Sequence, residues 1–263
     1  MNFSKQINII SFLVFVVFLS GCKASKIKSD TKLISKKVET PFTLNLENNG
    51  VAGNTTINLL DRLEKDVLSK NADLVILMVG TNDMLNSKKL VSYDDYKLNL
   101  DKIVKEIKKT NAQVLLISPP TVDSIYLFNR HDKNLFKEGP NQKLYKVKQI
   151  IKEVSKANNT LFVDNNLAFK TLNLPVHNED KYIRNKKNSN VEDGVHLTPL
   201  GYKLIAENVY QFLENNNLSK KYRNIICFGD SLTKGSGAKG AGTITGENYP
   251  SFLYKMLTNN SEN

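Results

Sequence analysis

The chain has 263 residues, enough for one ordinary domain or two small ones, and 40% hydrophobic content excludes wholesale disorder. A formal charge of +11 raises the question of nucleic acid. The lysines are spread along the chain rather than gathered in a stripe with interleaved aromatics, so no nucleic-acid partner is expected. With two cysteines, Cys22 and Cys227, and no CxxC or HExxH spacing, a zinc site is unsupported.

In chain order, residues 1–22 read as a secretory signal. Lys5 supplies a positive n-region and residues 9–19 an apolar h-region, shorter than the roughly 20 apolar residues of a transmembrane helix. The run ends in Leu19-Ser20-Gly21-Cys22, which resembles a bacterial lipobox. By that resemblance Cys22 is acylated as the first mature residue and holds the protein at a membrane of the cell envelope. Cys227 then lacks a partner and reads as a small core hydrophobe inside an apolar run. Residues 23–41 form a basic, flexible tether, and a single domain is expected over 42–263.

Behind the tether, strands are predicted at 42–47, 73–79, 113–118, 160–163 and 224–228. Helices are predicted at 57–69, 93–109, 142–157, 199–215 and 249–257. The runs Leu74-Val75-Ile76-Leu77-Met78-Val79 and Val114-Leu115-Leu116-Ile117 are apolar without alternation, as in parallel strands covered on both faces. In the second helix Leu100, Ile103, Val104 and Ile107 fall at i, i+3, i+4 and i+7, giving one buried stripe. This alternation predicts an α/β fold, a parallel sheet between helical layers. Ligands in such folds bind beyond the carboxyl ends of the strands, which makes the loops after them the place to look for chemistry.

Four of those loops hold unusual residues. Residues 224–228 run straight into Gly229-Asp230-Ser231-Leu232-Thr233, and a serine at a sharp turn after a buried strand exposes its hydroxyl. A serine needs a base, and Asp193-Gly194-Val195-His196 places a histidine three residues after a carboxylate that could orient it. The plainer alternative is a capping Asp193 beside a surface His196. Gly80-Thr81-Asn82-Asp83 offers the Asn82 amide to a developing negative charge. Gly53, in Gly50-Val51-Ala52-Gly53-Asn54-Thr55, allows close backbone approach. Each block alone is also compatible with ordinary turn chemistry.

Together the four blocks resemble those of the SGNH (GDSL-type) hydrolase superfamily: a GDS segment, a glycine segment, GxND and DxxH. Leu197-Thr198-Pro199-Leu200-Gly201-Tyr202 is similar to that family's continuation into its last helix. The resemblance implies a three-layer α/β/α sandwich with a five-stranded parallel, flavodoxin-like sheet. It implies Ser231 as nucleophile, His196 as base and Asp193 as its orienting partner, with the N–H groups of Ser231 and Gly53 and the Asn82 side chain as oxyanion hole. No metal or organic cofactor is implied. Asp83 and Asp230 are expected to serve turns and loop bonding, and His131 and His177 to be exposed loop histidines, His177 being the second choice of base.

In the family the nucleophile block comes first; here it comes last. Either a truncated second domain begins at Asn224 or one domain is circularly permuted, and permutation accounts for both the missing first block and the solitary last one. It requires the 224–228 strand to insert between 42–47 and 73–79, and Ser231 to come within hydrogen-bonding reach of His196. The implied activity is carboxyl-ester hydrolysis through an acyl-serine, on acetylated carbohydrate or another short-chain ester. The alternatives are a lysophospholipase or thioesterase, or a non-catalytic envelope binding lipoprotein. The segment 121–141, with Tyr126, Phe128 and Phe136, either walls the site or packs as a surface loop.

Overall fold

The computed structural model describes residues 43–259, so Cys22 and the tether lie outside the described residues. Five strands, β1 (Asn45–Gly50), β2 (Leu74–Met78), β3 (Gln113–Ile117), β4 (Leu161–Val163) and β5 (Asn224–Gly229), form one sheet. All neighbours are parallel and the order is β1-β5-β2-β3-β4. The strand made last therefore lies between the first two, as the permuted order requires. Gly229 at its end pairs with Gly50 on one side and Met78 on the other.

Among the described residues ten α-helices connect or follow the strands: α1 (Thr56–Asp66), α2 (Thr81–Leu85), α3 (Tyr93–Lys109), α4 (Ser124–Phe128), α5 (Pro140–Ala157), α6 (Asn165–Thr171), α7 (Lys186–Ser189), α8 (Pro199–Asn215), α9 (Ser231–Lys234) and α10 (Tyr249–Asn259). Successive strand side chains point to opposite faces, which splits the core in two. Val75, Leu77, Ile226 and Phe228 pack against α1, α3 and α5. Leu74, Ile76, Ile225 and Cys227 pack against α8 and α10. Two helical layers thus cover both faces of β2 and β5, which accounts for their unbroken apolar runs. Full burial of each such side chain contributes roughly 1.5–3 kcal/mol.

Helices α3 and α8 begin and end where the sequence places them, because each has a readable start. Ser92 accepts from the N–H of Asp95, and Thr198 accepts from that of Gly201 ahead of Pro199. Their ends, and those of α5 and α6, are followed by an asparagine in the left-handed region: Asn111, Asn217, Asn159 and Asn173. Asparagine tolerates that conformation better than other residues bearing a side chain, and here it replaces the customary glycine.

Strand β1 departs from expectation, running from Asn45 to Gly50 rather than over 42–47. Glu47, Asn48 and Asn49 are only partly buried, as an edge strand allows, and their polarity disguised the strand. Asp73 fixes the entry of β5, its Oδ2 accepting from the N–H groups of Arg223 and Asn224, each at 2.9 Å. At the other end Gly50 and α9 touch backbone to backbone. A Cβ on Gly50 would sit 2.0 Å from the Lys234 nitrogen.

Candidate active site

Strand β5 delivers Ser231 to the carboxyl end of the sheet. Asp230 turns the chain there, its Oδ1 accepting from the N–H of Leu232 at 2.8 Å and starting α9. Ser231 is 5% exposed. Its hydroxyl makes no hydrogen bond among the described residues, and its own N–H and that of Gly53 are donated to no protein acceptor. Gly53 has φ 74°, and its carbonyl accepts from Lys89 Nζ at 2.9 Å.

The histidine block forms a closed turn. Asp193 Oδ1 accepts from the N–H groups of Val195 and His196 at 3.1 and 2.9 Å, and His196 Nδ1 lies 2.9 Å from Oδ2. An antiparallel neighbour holds the turn, with Arg184 N–H donating to the His196 carbonyl and Gly194 N–H to that of Arg184. Burial pushes the Asp193 carboxyl up, but the hydrogen bonds and charge of His196, with Arg130, outweigh it and hold it well below the usual carboxylate range.

The two loops meet. His196 acts electrostatically on the Asp230 carboxyl. Tyr202 Oη, on α8, donates to the Ser236 carbonyl at 2.9 Å, just beyond α9. Ser231 and His196 are nevertheless not hydrogen-bonded to each other. The sequence reading requires them in reach; the structure joins their loops and leaves the bond unmade. Serine–histidine contacts in unliganded sites are often long and tighten when substrate binds.

Asn82 sits at the start of α2, behind Gly80, whose φ of 128° no ordinary side chain adopts readily. Its amide donates to the Asn54 carbonyl at 3.1 Å and, at a long 3.4 Å, to Asp230 Oδ2. The second contact is the weaker of the two. Asp83 and Asp230 are fully buried, a stronger role than turn bonding alone. Asp83 Oδ1 accepts from Thr56 N–H and hydroxyl at 2.9 and 2.6 Å, locking α2 to the start of α1. Burial pushes the Asp230 carboxyl up to about 7, and the charge of Asp83 adds to the effect.

Nothing in the local pattern singles out Arg62, yet it ties two of these loops together. Its guanidinium donates to the carbonyls of Asn49 and Gly229 at 3.1 and 2.7 Å and to Asn54 Oδ1 at 2.7 Å, over the Phe228 ring. Of the other histidines, His131 is partly buried, with the Ser87 N–H directed at its Nδ1 at 3.3 Å. His177 is exposed as expected but paired, its Nδ1 2.7 Å from the buried Asp123. Among the described residues no group of three or more His, Cys, Asp or Glu side chains converges as metal ligands. A cavity of about 740 Å³ lies beyond β3 and β4, lined by Thr121, Asn141, Tyr145, Lys170 and Leu174. It contains none of the four blocks, and Asn141 and Thr121 already bond Val122 and Leu174.

A parallel sheet with Ser231 just beyond the end of its interior strand β5, and a His–Asp pair in the loop before α8, defines an α/β protein of the SGNH type. Its family follows from comparison of sequences. Residues 27–204 match the model of the GDSL-like Lipase/Acylhydrolase family, and the chain belongs to that family. It is similar to an acetylxylan esterase of Geobacillus stearothermophilus, with 28% identity over 129 residues, 46% of this chain. That alignment spans 54% of the esterase, about half its length. It is also similar to the uncharacterized protein YpmR of Bacillus subtilis (strain 168), with 26% identity covering 76% of this chain and 75% of YpmR. Among solved structures, a lipase/acylhydrolase from Enterococcus faecalis aligns with TM-score 0.49 and 24% identity over 62% of this chain and 72% of its own.

Proposed function

We propose that the protein hydrolyses carboxyl esters through an acyl-serine intermediate, with a short acyl group, acetyl on carbohydrate, as its natural substrate. The observation that carries this reading is the Asp193–His196 pair beside a serine whose hydroxyl and N–H are both unspent. Neutral His196, its Nδ1–H held by Asp193, takes the Ser231 proton as Oγ attacks the ester carbonyl. The carbonyl electron pair moves to oxygen, where the N–H groups of Ser231 and Gly53 and the Asn82 amide receive it. Collapse expels the alcohol, which collects the proton from His196. Water then repeats the sequence on the acyl-serine and releases the carboxylate.

The acetyl preference is supported by the likeness to the acetylxylan esterase of Geobacillus stearothermophilus. A series of 4-nitrophenyl esters from acetate to laurate tests it, together with acetate release from acetylated xylo-oligosaccharide. Activity that climbs with acyl length sinks the acetyl assignment in favour of a lipid esterase. Asn82→Ala should lower kcat about a hundredfold or more, as deletion of an oxyanion donor does. A change confined to KM would make Asn82 a binding residue.

We further propose that residues 42–263 are one circularly permuted domain, supported by the position of β5 inside the sheet and by a family match that stops at residue 204, before β5. The lipobox-like run proposes a lipid on Cys22 and a place at the cell envelope. Detergent phase partitioning that is identical for the parent and Cys22→Ser proteins would remove that anchor.

A further inference from the structure

The sequence leaves the segment 121–141 without a role, and the structure wraps it around the histidine block. Glu192, just before that block, and Asp193 and Gly194 within it are each bonded to residues flanking α4. Asn129 Nδ2 donates to Glu192 Oε2 at 2.9 Å, Arg130 donates to Asp193, and Asp123 N–H donates to the Gly194 carbonyl at 2.7 Å. Gly194 lies so close to α4 that a Cβ there would meet the Asp123 carbonyl oxygen at 2.6 Å.

We propose that Arg130 is a positioning residue of the general base: it holds the Asp193 carboxylate from behind and keeps His196 in its neutral, proton-accepting form. The geometry is specific. One guanidinium nitrogen, Nη2, donates to both the Asp193 carbonyl at 2.7 Å and Oδ1 at 3.3 Å. Oδ1 also receives the N–H groups of Val195 and His196, and His196 Nδ1 lies 2.9 Å from Oδ2 and 3.1 Å from Oδ1. Both carboxylate oxygens thus face Nδ1, which keeps its proton there and fixes the tautomer that leaves Nε2 free to accept one. The cation also withdraws charge from the carboxylate, which makes the imidazolium less favourable.

The other charged groups around His196 are few. Asp193 and Glu192 lie on its own loop, and Asp230 faces it from the turn before α9. Arg184 contacts it through its backbone N–H. Asp193 and Asp230 favour the imidazolium and Arg130 opposes it. Glu192 is engaged by Asn129. Arg130 is 39% exposed at its side chain, so its substitution leaves the core intact.

The inference rests on Asp193 and His196 being the general-base pair, and the test separates its failure from failure of that reading. The pH dependence of kcat/KM with 4-nitrophenyl acetate is compared for the parent, Arg130→Lys, Arg130→Gln and Arg130→Met. Removing the cation stabilises the imidazolium, so the acid limb should move to higher pH, by roughly half a unit, in the Gln and Met variants. Arg130→Lys should keep the parent limb. The chain has three histidines, so proton NMR can follow the His196 imidazole directly, identified by its loss in His196→Gln. Its titration should move upward by the same amount in Arg130→Gln, whether or not the protein cleaves this ester. A limb and an imidazole titration unmoved in both neutral variants overturn the proposal. A lower plateau rate with an unmoved limb also overturns it, since that is what a purely structural contact would give.

Discussion

Ser231→Ala and His196→Ala should each lower kcat/KM for short esters by roughly 10⁴- to 10⁶-fold, with thermal unfolding nearly unchanged. That loss corresponds to about 5.5–8 kcal/mol of transition-state stabilisation, far more than any binding contact at this site supplies. Stability should hold because, among the described residues, the Ser231 hydroxyl makes no hydrogen bond and the His196 ring bonds only Asp193. Nucleophile and base act as a unit, so the double variant should be little worse than either single one. Asp193→Asn should fall by about 10⁴, because an amide presents its donor or its acceptor to Nδ1 and disturbs the tautomer. Losses that multiply in the double variant, or near-parental rates in either single one, would make Ser231 a structural turn residue and leave a non-catalytic binding protein.

Deleting residues 224–263 should abolish folding rather than trim a tail. Strand β5 is hydrogen-bonded on both sides, to β1 and β2, and its removal exposes two sheet edges. It also strips Ile225, Ile226, Cys227, Phe228, Leu232, Tyr249, Leu253 and Leu257 from the two cores. At about 1.5–3 kcal/mol for each, their burial matches or exceeds the roughly 5–15 kcal/mol of net stability that domains have. The fragment should be insoluble, or bind ANS and lose its near-ultraviolet circular dichroism. A soluble fragment with a cooperative melt would refute the permuted single domain in favour of two incomplete ones. Opening the chain near Leu218 and joining the Leu257 end to residue 42 by a short linker should restore an active protein.

The five strands and the long helices were legible because each carries a period or an unbroken apolar run, and the long helices also carry caps. The short helices α2, α4, α6, α7 and α9 were not, since none of them completes two turns and a hydrophobic period needs at least that. Strand β1 was read three residues early because its last three polar residues line an edge. The residues of the site were legible as motifs, but their bonding was not. Nothing local shows that the Asn82 amide is divided between Asn54 and Asp230, or that Asp230 is buried deeply enough to raise its carboxyl to about 7. Arg62 and Arg130 escape for the same reason. A lone arginine on a helix or loop reads as a solvated charge, and its partners Gly229 and Asp193 lie 167 and 63 residues away.

The central position of β5 also sets the timetable of assembly. During synthesis β1 and β2 emerge early but are never neighbours, and the slot between them stays open until β5 follows every other strand out. Only β2, β3 and β4 can pair in chain order, so a nascent chain forms half a sheet and leaves β1 unattached. Closing the loop from β1 to β5 costs entropy before any ladder bond repays it, which makes folding slow and dominated by non-local contacts. Through that interval the apolar faces of β2 and β3 are incompletely covered, and the chain is at its most prone to stick to another copy. The strand that closes the sheet also carries Ser231, so the proposed nucleophile is put in place only in that late step.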